Sequence, residues 1–189
     1  MNYYFSVDCD TSARRIEIIS MGMVSEKGKT LYVKNSSADF DLHGEWVKKN
    51  LHPLTDQLSC VDHYGSVRTV RTVGFGTATH DWYHFYKFKD LILKLIGADS
   101  NPVFYSSSGP IGWTAITQVF DEHSVLPESF NDMAVLEQMA TNTLGTKFEY
   151  MCPNTSNLKA RTVIDRAWVV KNRYDELISK FHLSLEKKW

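Results

Sequence analysis

The stretch Arg15 to Ser25, RIEIISMGMVS, constrains the fold more than any other. Ile, Met and Val follow one another almost without a break over the length of a strand. A central strand buried on both faces has this composition. The preceding residues, Asn2 to Asp8, are aromatic and β-branched and read as a strand. After the apolar run, SEKGKT supplies a turn around Gly28, and Leu31 to Lys34 returns as a third strand. Together they predict an antiparallel meander.

Further along, Asp41 to Leu51 reads as a short helix, capped by Asp39 or Asp41 and stopped by Pro53. Residues 54–79 carry few periodic signals. The glycine-rich GFGTATH within them lacks the spacing of a phosphate-cradling loop and reads as a plain loop. Asp81 to Ile96 places Trp82, Phe85, Phe88, Ile92, Leu93 and Ile96 at helical spacing. Pro102 to Ser106 is a fourth strand, and Ile111 to Phe120 a helix with Pro110 in its first turn. Asn131 to Leu144 is a helix with Asn131 as its cap. Thr162 to Phe181 is the last long helix, with Val163, Ala167, Val170, Tyr174, Leu177 and Phe181 on one stripe. Three antiparallel strands followed by a helix, a strand and more helices is a mixed α/β order. The fourth strand then joins the first through a crossover. A chain of 189 residues fits a single domain spanning residues 1–189.

A hydrophobic fraction of 43% supports a packed core, and a net charge of -1 creates no whole-molecule attraction for nucleic acid or anionic membrane. The charge is uneven, however. Lys147, Lys159, Arg161, Arg166, Lys171 and Arg173 face only Glu149 and Asp165 in their stretch. Such an excess suits phosphates or an acidic partner, although a solvated helix face has the same composition. Cys9, Cys60 and Cys152 are far apart, form no CxxC pair and predict a reducing, cytoplasmic setting. No window is apolar for long enough to span a membrane.

Asp8 and Asp10 close the first strand, and residues two apart on a strand share a face. Two carboxylates so placed can bridge a hard divalent cation; a polar strand end gives the same pattern. The segment FYSSSGPIGWTAITQVF, Phe104 to Phe120, raises a second question. Gly112 sits in the first turn of its helix, where glycine costs about 1 kcal/mol against alanine. Nothing in the neighbouring sequence asks for it.

The string FSVDCDTSARRIEIISMGMV resembles the opening of the DEDD-type 3'-5' exonucleases, where a strand carries Asp-x-Glu or Asp-x-Asp and the next reads I-x-x-I-G-x-V. The likeness is greatest to a group of small bacterial exoribonucleases. Phe104 to Phe120, down to Gln118-Val119-Phe120, looks like that group's second motif, and the helix from Thr162 sits where the third belongs. The resemblance implies a ribonuclease H-like fold and phosphodiester hydrolysis by two metal ions about 4 Å apart. Carried over residue by residue, it puts two family carboxylates at Asp8 and Asp10. It puts the middle Asp at Gly112, the general-base His at Ile164 and the final Asp at Val169.

The resemblance therefore implies a degenerate site. Asp8 and Asp10 alone hold at most one loosely bound magnesium or manganese ion, and losing the general base slows catalysis by roughly 10²–10⁴-fold. The expected protein keeps the fold, does not cut, and binds a nucleic acid through Lys159, Arg161 and Arg166, or binds a protein, which includes a second copy of itself. The alternative is an active Mg- or Mn-dependent 3'-5' exonuclease on RNA or single-stranded DNA with a rebuilt site. That requires a third carboxylate near the pair, with Asp165 and Asp132 as candidates; Asp121, nine residues beyond Gly112 and roughly 13 Å along the helix axis, is too far.

Other chemistry-bearing residues read as structural. His80 and His84 have the i, i+4 spacing of a zinc face but lack the accompanying Glu and a third ligand. Ser106, Ser107 and Ser108 predict helix capping. Cys9, between two acids, is a poor thiolate. Trp113 and Trp168 have the stacking surface for a base but read as core, and Trp189 lies at the end of the sequence.

Overall fold

The computed structural model describes residues 1–11, 16–35, 38, 43–50, 68–72, 76–83, 85–120, 129–144 and 162–186. The expected meander is present as β1 (Asn2–Asp10), β2 (Glu17–Ser25) and β3 (Thr30–Asn35), each antiparallel to the next. The apolar run is β2, buried on both faces at all but its first residue. The expected crossover is present too, since β6 (Val103–Ser106) pairs parallel with β1.

The sheet is larger than the sequence suggests. Among the described residues, seven strands run in the order β4-β5-β3-β2-β1-β6-β7. Three of them were not expected: β4 (Arg68–Thr72), β5 (Gly76–Tyr83) and β7 (Ser129–Asp132). GFGTATH is thus no loop over its last five residues, and the helix expected from Asp81 starts later. A 3-10 turn covers Phe85–Lys87, and α2 is Phe88–Ile96. His80 lies in a strand, which removes the helical zinc-like pairing with His84; His84 is outside the described residues.

The other helices are α1 (Glu45–Asn50), α3 (Gly109–Phe120), α4 (Met133–Leu144) and α5 (Val163–Glu186). Asn131 is in β7, and the residue that caps α4 is its neighbour Asp132, whose Oδ1 accepts from the Ala134 N–H at 2.9 Å. Asp39, Asp41 and Pro53, expected to bound α1, lie outside the described residues.

Helices cover both faces of the sheet. On one side Phe88, Ile92 and Ile96 of α2 and Ala115, Ile116 and Val119 of α3 pack on Tyr3, Phe5, Met21, Met23, Val33 and Phe104. On the other, Val163, Ile164 and Ala167 of α5 pack on Val24 and Tyr32. Val170 of α5 and Met133 of α4 join Tyr4 and Tyr105 there. Burying each such side chain is worth roughly 1.5–3 kcal/mol, so both interfaces contribute strongly to stability.

One glycine decides how closely α5 can lie. A Cβ at Gly22 would sit 2.5 Å from the Ile164 nitrogen and 2.6 Å from the Val163 carbonyl carbon. The glycine of IEIISMGMV therefore lets helix backbone touch strand backbone at the start of α5. That turn is fixed from its own side by a capping box. The Asp165 N–H donates to Thr162 Oγ1 at 3.3 Å, and Thr162 N–H donates to Asp165 Oδ2 at 3.2 Å.

Candidate functional site

Strands β1, β3, β5, β6 and β7 run parallel to one another, so their carboxyl ends share one edge of the sheet. Ligands of open α/β sheets bind beyond such ends. A cleft of ≈ 590 Å³ opens there, walled by Ser6 to Thr11 of β1 and its end, Gly44 and Val47 at α1, Ser107, Ser108 and Ile111 at α3, and Arg166 of α5.

The structure brings Asp8 and Asp10 together in this cleft, both nearly buried at 8% and 3% exposure. A β-bulge at Asp8/Cys9 shifts the pairing with β2 between them. Such a bulge increases local twist and re-aims the side chains beyond it. Both carboxylates are already in use. Asp8 Oδ1 takes the Arg166 guanidinium, and Asp8 Oδ2 accepts from the Ser20 hydroxyl at 3.1 Å. Asp10 Oδ2 accepts the Gly44 N–H at 2.8 Å, which ties the α1 wall of the cleft to β1. Next to that contact, His43 Nε2 lies 2.9 Å from Glu17 Oε2.

Arg166 is held at a second point, since its Nε donates to Ser6 Oγ at 3.1 Å. Of the three basic residues expected to bind nucleic acid, it is the one the structure places at the cleft, and it is there as the partner of Asp8. Lys159 and Arg161 lie outside the described residues. The direction of Arg166, though not its partner, was readable in principle. Arg166 stands three residues after Val163 and four before Val170, both buried, so the apolar stripe turns it toward the sheet. Lys34 was also missed. It is fully buried on β3, where Asp8, Ser20 and Lys34 are successive cross-strand partners on one sheet face.

The three positions that the resemblance marked as lost have structural occupations. Gly112 is buried, and a Cβ there would meet Ser106 Oγ at 2.8 Å, Ser106 Cβ at 3.2 Å and Ser108 Cβ at 3.3 Å. Close packing against the serine turn therefore favours glycine, contrary to the sequence expectation that nothing nearby does. The serines fold back on themselves, with Ser108 N–H donating to Ser106 Oγ at 3.1 Å. Ile164 is fully buried in the α5–sheet interface and Val169 is half-buried; neither walls the cleft.

The substitute carboxylates do not gather either. Asp165 faces its own capping box, Asp132 caps α4 and has Oδ2 against Gly109, and Asp121 lies outside the described residues. Among the described residues, no group of three or more His, Cys, Asp or Glu is placed to hold a metal. The donor set at Asp8 and Asp10 does not fit a two-metal centre. A divalent ion about 4 Å from a guanidinium is repelled by about 8 kcal/mol at an effective dielectric of 20.

Cys9 faces the α2–α3 side of the sheet and packs on the core there. Its thiol is pushed up to about 12, by burial first and by the Asp8 charge second. Trp113, expected in the core, is 37% exposed and leans on Phe130 with ring centroids 5.1 Å apart. Trp168 is partly buried against the α5–sheet core, and Trp189 lies outside the described residues. No helix among the described residues is long and apolar enough to cross a membrane.

No protein-family model and no curated protein matches the chain.

Proposed function

We propose that the protein is a catalytically degenerate relative of the DEDD-type exonucleases, with a ribonuclease H-like framework whose cleft binds a nucleic-acid or protein partner without cutting it. One observation carries this reading: the ion pair of Arg166 with Asp8, in the place where the resemblance implies metal. A carboxylate neutralised by an arginine has lost the charge a metal pair needs, and no other described carboxylate replaces it. Gly112 supports the same reading, because an aspartate there would have to displace the Ser106 hydroxyl and press on Ser108. The cleft itself supports a binding role. It is large enough for a side chain or a base and has both apolar walls, at Val7, Val47 and Ile111, and polar ones.

The test is an incubation of the purified protein with magnesium or manganese and end-labelled single-stranded RNA or DNA. No shortening is expected. Stepwise trimming from the 3' end that Asp8→Asn abolishes would overturn the proposal and establish the active-exonuclease alternative. Binding is read separately by fluorescence anisotropy on the same oligonucleotides. An Ile111→Asp variant is expected to weaken whichever partner occupies the cleft.

A further inference from the structure

We infer that Arg166 is the residue that sets the cation specificity of the cleft. Its guanidinium is a built-in cation at Asp8, and it makes the protein indifferent to magnesium and manganese. The inference rests on reading the cleft as a former metal site, and it goes further in assigning the exclusion of metal to one side chain.

The guanidinium is anchored at two points, Asp8 Oδ1 and Ser6 Oγ. If it swung away, a carboxylate only 8% exposed would lose its counter-charge. The backbone that carries it is packed directly on the sheet. The first turn of α5 is pressed on Gly22, where even a methyl group would collide with the Ile164 nitrogen at 2.5 Å, and the Thr162–Asp165 box closes that turn. The arginine is therefore delivered by the fold rather than by chance rotamer choice.

Neighbouring groups reinforce the effect. Ser20 occupies the other oxygen of Asp8, and beyond Ser20 in the same cross-strand row stands the fully buried Lys34. An incoming divalent ion would meet the fixed positive charge of the α5 guanidinium. Asp10 offers little compensation, since its Oδ2 already holds the Gly44 N–H. A hard cation needs about six oxygen ligands and releases its water reluctantly, so one partly neutralised pair does not retain it.

The test is manganese binding, followed by calorimetry and by the paramagnetic signal of the free ion. The wild-type protein is expected to bind no manganese at millimolar concentration, and its thermal midpoint should be the same in manganese and in chelator. Arg166→Met, which keeps the stem and removes the charge, is expected to bind manganese with a Kd at least about tenfold below the lower limit set by the wild type, because one like charge has been removed. Adding Asp8→Asn should abolish the gain, and Arg166→Lys should show none. Arg166→Gln, which retains hydrogen-bond donors, replaces the Met variant if that one does not fold. Manganese binding by the wild type, or a folded neutral variant that binds none, overturns the inference. Manganese binding without trimming of RNA or DNA would overturn this inference alone. Trimming would overturn the proposed function, whatever the Arg166 variants do.

Discussion

Two glycines and one cysteine show how single positions control this molecule. At Gly22 the obstacle to a side chain is backbone, which cannot rotate aside, so Gly22→Ala must lift α5 from the sheet. Overpacking of this kind costs roughly 3 kcal/mol, and urea unfolding should show that loss; a change below about 0.5 kcal/mol, the range of neutral surface substitutions, would refute the close approach. At Gly112 the obstacle is softer, two serine side chains, so Gly112→Ala is expected to cost about 1–2 kcal/mol and Gly112→Asp more. Cys9 gives a chemical readout. With its thiol raised to about 12 it should resist alkylation at pH 8, and peptide mapping should find it labelled far more slowly in the folded than in the unfolded protein. These residues differ in how plainly the sequence announced them. Gly22 stood inside a recognisable string, but its reason is a helix that follows in the chain only after residue 162. Gly112 looked purposeless because its partners, Ser106 and Ser108, approach through the tertiary turn and not through helix periodicity.

Elements were legible where a local pattern had no competitor. The apolar continuity of β2 and the stripe of α5 each point to one solution, and both formed where expected. The segment 76–83 failed because two signals overlapped. Trp82, Phe85 and Phe88 fall at helical spacing, but Trp82 belongs to β5 and Phe88 to α2, and the helical rhythm spans a change of element. Glycines near the start of β5 added a loop signal. At β7 the error was one residue: Asn131 and Asp132 are both good caps, and the paired strand reaches to Asp132, which left the cap to it. The start of α5 yields an element-scale prediction. Thr162→Ala or Asp165→Ala opens the capping box, so each should lower stability by about 0.5–2 kcal/mol, and the double variant by less than the sum, as a reciprocal pair requires.

Across the whole molecule, the tyrosines of the core tie stability to alkaline pH. Burial, with the Asp99 hydrogen bond second, pushes the Tyr3 hydroxyl up to about 12, and burial raises Tyr4, Tyr32 and Tyr105 further. In each case the folded state keeps its proton above the ordinary value near 10. The associated stability is therefore complete below about pH 10 and is lost as pH rises beyond it. The urea midpoint should hold from pH 8 to about 9.5 and then fall, and Tyr4→Phe should flatten the fall. The site was half legible at this scale. Asp8 and Asp10 were visible as a pair, but the residue that neutralises one of them is 158 positions away, and no local rule reports such a meeting.

That distance has a consequence during synthesis. The ribosome delivers β1 and β2 early, but the helix that shields Tyr4, Val24 and Tyr32 follows only on the order of 10–30 seconds later at ordinary elongation rates. For that interval the nascent chain shows an apolar patch of the sheet at Val24 and Tyr32 without α5 to cover it. Chains released before Val163 should collect in the pellet fraction of a lysate, while supplying the missing helix as a separate peptide should return part of them to the supernatant.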